Sequence, residues 1–369
     1  MEIEIKSKRK IKNRTMQTVS LARNAMATRF EIALHGENAV ALRGAGEAAL
    51  DEVDRIEAQL SLYRPTSEIA HVNARAAREP VQVTPGVFAF LQHAKRLSEE
   101  TSGAFDITIA PLVRCWGFMH GSGRIPAPDE LAEAREKVGM HLLHLGVADF
   151  SVRFARQGVM LDLGAIGKGY AVDRAVEVLR DAGVTSALIH GGTSTIYGLG
   201  HPPEAEAWKV AIEPPPVGVW SSAFRRRPTS GPPEGGTLNL SRVATRDWSP
   251  SIPLHDESLS VSGVWGKSFQ ADGQTFGHVI DPRTGQPVSG ALLAAAVLPS
   301  ATETDALSTA LLVLGDTGHE QVARLRPNLR TLLAVASGNA KGFRLVVSGI
   351  AVPTVARLSP ADAAPGIAR

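Results

Sequence analysis

Asp305 and Thr309 stand four residues apart in the stretch ATETDALSTALLVLG, residues 301–315. On a helix that spacing puts both on one face. A carboxylate beside a hydroxyl offers hard oxygen donors of the kind Mg2+ accepts, with waters and substrate phosphates completing its shell. Near a helix start the same two residue types also read as caps. A second cluster, LDLGAIGKGYAVDRA at 161–175, runs from a strand end through a glycine-rich turn into a helix, with Lys168 in the turn. The free N–H groups and positive dipole end of a helix suit a phosphate. The turn is not a Walker loop, because Asp162 stands where that motif needs glycine and Gly169 where it needs Ser or Thr. Asp162 reads as a helix N-cap or as a carboxylate facing a ligand, and the whole segment reads equally as a packing turn with an exposed lysine.

The third cluster is FGHVIDPRTGQP, residues 276–287, in which DPRTG is a tight turn with Pro282 at its second position. His278 is a candidate base. On a straight strand His278 and Asp281 point to opposite faces, so they converge only if the turn begins before Asp281. A hairpin with an exposed histidine is the structural alternative. The fourth cluster, TSGAFDITIAPLVRCWGF at 101–118, mixes polar and aromatic groups with glycines. Phe105, Trp116 and Phe118 suit either a stack on a planar ligand or a core.

The elements that must position these groups are legible in part. Residues 17–34 read as extended, and Ala49, Val53, Ile56 and Leu60 then recur at spacings of 4, 3 and 4, the buried stripe of a helix. SLYRPTSEIAHVN follows as a loop. Further helices are expected at 85–100, stopping at Ser102 and Gly103, at 129–138, at 167–179 and at 302–314. Residues 150–163 alternate toward strand, TSALIH ends in the pair Gly191 and Gly192, and TLLAVAS and FRLVVS read as late strands. Residues 213–257 hold eight prolines and four glycines and read as an inserted loop. Helices and strands interspersed without a repeat predict an α+β (mixed α/β) fold: one large domain at 20–350 with mixed sheets and flanking helices. A basic tail at 1–19 and a C-terminal tail at 351–369 flank it.

Composition narrows the function classes. The 369 residues are 44% hydrophobic and 21% charged, ordinary for a globular chain and unlike a disordered or collagenous one. Cys115 is the single cysteine, which excludes an internal disulfide and a cysteine-built zinc site. A net charge of +2 provides no global field for nucleic acid, so a phosphate ligand must be held by a local site. The richest apolar run, residues 291–298, is far shorter than the roughly 18 residues a membrane helix needs. Six Lys or Arg lie between positions 6 and 14 with no apolar stretch after them, so they read as a solvated tail rather than a leader.

In order, these segments resemble the ApbE-like family of FAD:protein FMN transferases. The match runs from MATRFEIAL at Met26 through DRIEAQLSLYRPTSEIAHVN and the four clusters, covering about residues 26–315. The resemblance implies an enzyme that binds FAD, uses Mg2+, cleaves the pyrophosphate, and moves FMN onto a Thr or Ser hydroxyl of an acceptor flavoprotein with release of AMP. It implies that Met26, Tyr63, Ala104, Phe105, Asp106, Asp162, Lys168 and Ile280 contact FAD. Ala165, through its carbonyl, Asp305 and Thr309 match the Mg2+ ligands, and His278 matches the catalytic histidine, with Asp281 as a helper. Two alternatives belong to other classes: hydrolysis of FAD to FMN and AMP if water replaces the acceptor, and a binding module that keeps FAD intact. Many members of the family are exported lipoproteins; the missing leader and lipidation cysteine lead to the expectation of a cytoplasmic enzyme. Thr193 and Ser194 follow the glycine pair where the family often has Asn or Asp.

Overall fold

The computed structural model describes residues 16–119, 121, 123–215, 241–242, 250–336 and 343–351. The basic segment at 6–14, most of 213–257 and the tail at 352–369 lie outside the described residues. The extended N-terminal stretch is a hairpin of β1 (Gln17–Ala25) and β2 (Thr28–Gly36). Its two turn residues, Met26 and Ala27, sit at φ 50° and 57°, the left-handed geometry that matches strand twist but is unfavourable for side chains other than Gly, Asn or Asp. Helix α1 (Ala39–Leu60) follows, its first N–H groups capped by the Asn38 side chain, and it buries the expected stripe of Ala49, Val53, Ile56 and Leu60.

The stretch expected as a loop contains a helix, α2 (Glu68–Arg75), capped by Ser67 and anchored by buried Ile69 and Val72. Eight residues with two apolar anchors are too few for periodicity to register. Then come β3 (Val81–Gln82) and α3 (Pro85–Glu100), the latter with the expected bounds and a terminus at Ser102 and Gly103, both at positive φ. Next are α4 (Ala110–Cys115), α5 (Pro128–Arg135), β4 (Leu143–Gly146) and β5 (Ser151–Phe154). The strand expected over 150–163 is thus only four residues long. Beyond it the chain runs irregularly into α6 (Gly167–Asp181). The strands β6 (Ala187–Gly191), β7 (Thr195–Leu199), β8 (Trp208–Ala211) and β9 (Ser241–Arg242) lead to β10 (Ser251–Leu254), β11 (Glu257–Gly263), β12 (Ser268–Ala271), β13 (Gln274–Gly277) and β14 (Ala291–Leu298). Helix α7 (Ala301–Ala323), β15 (Arg330–Ala336) and β16 (Phe343–Ser348) complete the fold.

Residues 251–254, expected within an inserted loop, pair with β8, because buried Ile252 and Leu254 give this end of the proline-rich stretch an apolar face. Helix α7 runs past its expected end at Leu314 through a kink at Gly315, whose φ of 63° and ψ of −152° only glycine adopts easily. Among the described residues the main sheet has nine strands in the order β1-β2-β6-β7-β11-β14-β15-β16-β9. Its pairings, and those of the smaller sheets, are antiparallel throughout the described residues. The α+β class is therefore found, with sheets of one pairing sense instead of mixed ones.

All eight residues of β14 are buried, so that strand is covered on both faces. Helix α6 packs between α1 and α7, and all three lie on the sheet, enclosing the principal core. A second cluster joins Leu112, Cys115, Trp116 and Phe118 to Ala134, Val138 and Ile280, with Phe269 and Phe276 against it. Phe105 belongs to the principal core. The aromatics of the fourth cluster are thus core residues, and Trp116 also donates from its ring N–H to the Gly285 carbonyl at 2.8 Å, tying α4 to the DPRTG turn. Among the described residues no helix is long and apolar enough to cross a membrane.

Candidate active site

The start of α6 and the start of α7 meet at a glycine. Gly169 N–H donates to Asp305 Oδ2 at 3.0 Å, and a Cβ on Gly169 would stand 2.1 Å from the Ala301 carbonyl oxygen. The first turn of α7 leaves N–H groups without helical partners, and Asp173 on α6 takes them up. Its carboxylate accepts from the N–H of Ala301 and Thr302 and from the hydroxyls of Ser300 and Thr302, at 2.6–2.9 Å. This clamp sets the register in which Lys168 Nζ lies 3.8 Å from Asp305 Oδ1 and donates to the Gly164 carbonyl at 3.0 Å. Asp305 is buried. Thr309, on the same face one turn on, bonds through its hydroxyl to the Asp305 carbonyl at 3.2 Å and to Ser262 Oγ at 3.1 Å. Ala165 lies in the turn immediately before α6, packed against the principal core.

Asp162 is not a helix cap: the N-cap position of α6 is Ile166, and Asp162 Oδ1 accepts from Gly164 N–H at 2.8 Å within the turn. Burial pushes its carboxyl up, opposed by the Gly164 N–H and by the positive charges of Lys168 and Lys267. His278 sits opposite on the segment after β13. Its main-chain N–H donates to the Lys267 carbonyl at 3.0 Å, and its Nδ1 lies 3.1 Å from the same oxygen. A carbonyl only accepts, so Nδ1 carries the proton and Nε2 is the lone-pair nitrogen in neutral His278. Burial holds the imidazole below its ordinary value of 6.5, and the charges of Lys267 and Lys168 act in the same direction.

Other expected residues join this centre through the backbone. The Asp162 N–H donates to the Ile107 carbonyl at 2.7 Å, setting the segment at 104–107 against the Asp162 turn. Glu57 accepts from Met26 N–H at 2.9 Å and from the Arg64 guanidinium, which brings the Met26 turn beside exposed Tyr63. The Tyr63 hydroxyl is pushed up by partial burial and by the charge of Asp162. Ala104 and Phe105 are buried, and the Asp106 carboxylate accepts from Thr108 and from Met140 N–H. Ile280 is buried and bridges to Pro287.

That bridge means the turn starts at Asp281, so the condition for Asp281 to converge on His278 is not met. Its carboxylate instead accepts from Arg283 through the main-chain N–H, Nε and Nη2, each at 2.9 Å. In this structure Asp281 staples the turn. Arg283 and Asp106 line a cavity of about 670 Å3 between the end of α3, α5 and the turn, which Lys168 and His278 do not line.

Sequence reasoning missed three residues. Lys267, in VWGKSF, carries no local pattern that marks it. Asn73 holds both the N–H and the carbonyl of Leu161, at 2.7 and 3.0 Å, and so fixes the residue before Asp162 from 88 positions away. Asp173 had a weak signal, an acidic residue on a helix four places beyond Gly169.

The ApbE family model matches residues 26–333. The chain is 30% identical over 315 residues to the FAD:protein FMN transferase of Klebsiella pneumoniae (strain 342), covering 84% of this chain and 81% of that one. To the FAD:protein FMN transferase of Treponema pallidum (strain Nichols) it is 32% identical over 279 residues, 73% of this chain and 72% of the other. The solved Flavin Transferase ApbE from Vibrio cholerae shares the fold, with a TM-score of 0.73 at 24% identity over 90% of this chain and 98% of that chain. Matched from the Met26 turn to β15, across every segment that brings Lys168, His278 and Asp305 to one place, this chain belongs to the ApbE family.

Proposed function

We propose that the protein transfers FMN from FAD to a Ser or Thr hydroxyl of an acceptor protein and releases AMP. The observation that carries this is the convergence, around Asp162, of a lysine paired with a buried carboxylate and a histidine held in one tautomer. In the reaction the acceptor oxygen forms a bond to the FMN phosphorus, the P–O bond to AMP breaks, and the hydroxyl proton leaves with the base. His278, neutral and with Nε2 free to accept, takes that proton. Lys168 supplies positive charge where charge grows on the phosphates. Tyr63, the Met26 turn and the backbone at 104–106 support the flavin nucleotide, as their link to the Asp162 turn supports.

The donor set at the α6–α7 junction suits Mg2+: a buried carboxylate, a threonine hydroxyl and a main-chain carbonyl are all hard oxygen ligands. Among the described residues no group of three His, Cys, Asp or Glu could hold a metal, so Asp305, Thr309 and the Ala165 carbonyl would hold it together with substrate phosphates and water. When bound, Mg2+ neutralises phosphate charge. The chain's own contribution is to keep Asp305 fixed, through Gly169 and Asp173, and to keep His278 unprotonated.

The test is incubation with FAD and Mg2+, with and without a peptide carrying a Ser/Thr flavin-acceptor segment, followed by mass spectrometry. The expected result is AMP together with peptide heavier by FMN. AMP and free FMN over unmodified peptide identify a hydrolase instead, and intact FAD identifies a binding module.

A further inference from the structure

We infer that Lys267 is a second cation of the diphosphate site, acting together with Lys168 on the phosphates of the bound dinucleotide; this rests on the flavin-transfer reading above. The main chain of Lys267 abuts the base, since its carbonyl receives both the His278 N–H and Nδ1, at 3.0 and 3.1 Å. The preceding residue, Gly266, has φ 120°, open only to glycine, and a Cβ there would lie 3.8 Å from His278 Cε1. The backbone at 266–267 thus runs beside the imidazole, and the Lys267 side chain starts from the edge of the site.

The two lysines differ in what occupies them. Lys168 is committed to the Gly164 carbonyl and Asp305. Lys267 is exposed, and among the described residues its ammonium has no hydrogen-bond or ion-pair partner. Lys267 borders the site through the carbonyl it shares with His278 and Lys168 through its 3.8 Å approach to Asp305, and both charges act on Asp162 and His278. An uncommitted ammonium at the rim of a space already lined by a lysine and a base recruits an anion, and a diphosphate spans two such cations. Lysine suits this as a flexible point charge that follows the phosphate as its bonding changes. The anion class is a nucleoside diphosphate ester, with charge recognised and not the flavin ring.

The experiment compares FAD and riboflavin binding to the full chain by flavin fluorescence, in EDTA and at low and moderate salt. Wild type is measured first; if it neither binds nor processes FAD, the proposed function itself fails. Given wild-type FAD binding, Lys267→Met is expected to weaken FAD about 10-fold, to leave riboflavin unchanged and to flatten the salt dependence. Lys267→Arg retains most of the affinity, which separates lost charge from disturbed packing. FAD affinity in Lys267→Met within about two-fold of wild type, or an equal loss for riboflavin, overturns the assignment.

Discussion

Gly169 and Asp305 are joined by a 3.0 Å hydrogen bond across 136 positions of sequence, and the contact leaves no room for a side chain on the glycine. Because backbone meets backbone at this junction, the position of the Asp305 carboxylate depends on how closely α6 approaches α7. The Asp173 clamp holds the other side of the same approach.

Gly169→Ala is therefore expected to destabilise the protein by about 1–3 kcal/mol, the usual cost of overpacking, and to lower transfer far more than FAD binding. Denaturant unfolding gives the first and steady-state kinetics the second. Wild-type stability and rate in this variant would show that the helices separate without consequence.

His278 has a base role that predicts a pH limb. Its ordinary value of 6.5 is lowered by burial, so the neutral form persists to lower pH and kcat/KM rises with pH through a midpoint below 6.5. His278→Ala removes transfer while retaining FAD affinity. A midpoint above 6.5, or an Ala variant that still transfers, rejects the assignment.

Asp281 staples its turn to Arg283, so Asp281→Asn is expected to leave that midpoint in place. Its effect is confined to a modest loss of turn stability, on the order of 1 kcal/mol for a weakened charge-assisted bond. A displaced pH midpoint would reveal direct coupling to His278.

Asp305 is the one carboxylate in the proposed Mg2+ donor set. Asp305→Asn is expected to raise the Mg2+ concentration for half-maximal activity by about 10-fold or more, with weaker metal binding by calorimetry in parallel. Unchanged activity at low Mg2+ in this variant refutes the ligand assignment.

The local elements are largely legible in the sequence. The α1 stripe follows from apolar periodicity, the bounds of α3 from Pro85 at its start and Ser102 and Gly103 at its stop, and the two late strands from short apolar runs. Helix α2 escaped because two apolar anchors in eight residues make no period. Lys267 and Asn73 escaped because neither belongs to a local pattern: each matters through one partner, His278 and Leu161, that the chain returns to much later.

The sequence by itself determined that Lys168 opens a helix and that Asp305 and Thr309 share a face, since these are consequences of spacing along one element. Only the tertiary structure decided the antiparallel order of the nine strands, the meeting of α6 with α7 at Gly169, the tautomer of His278 and the diversion of Asp281 to Arg283. Periodicity encodes burial within an element, whereas partners across 88 or 136 positions are chosen by packing and by the requirement that buried polar groups find hydrogen bonds.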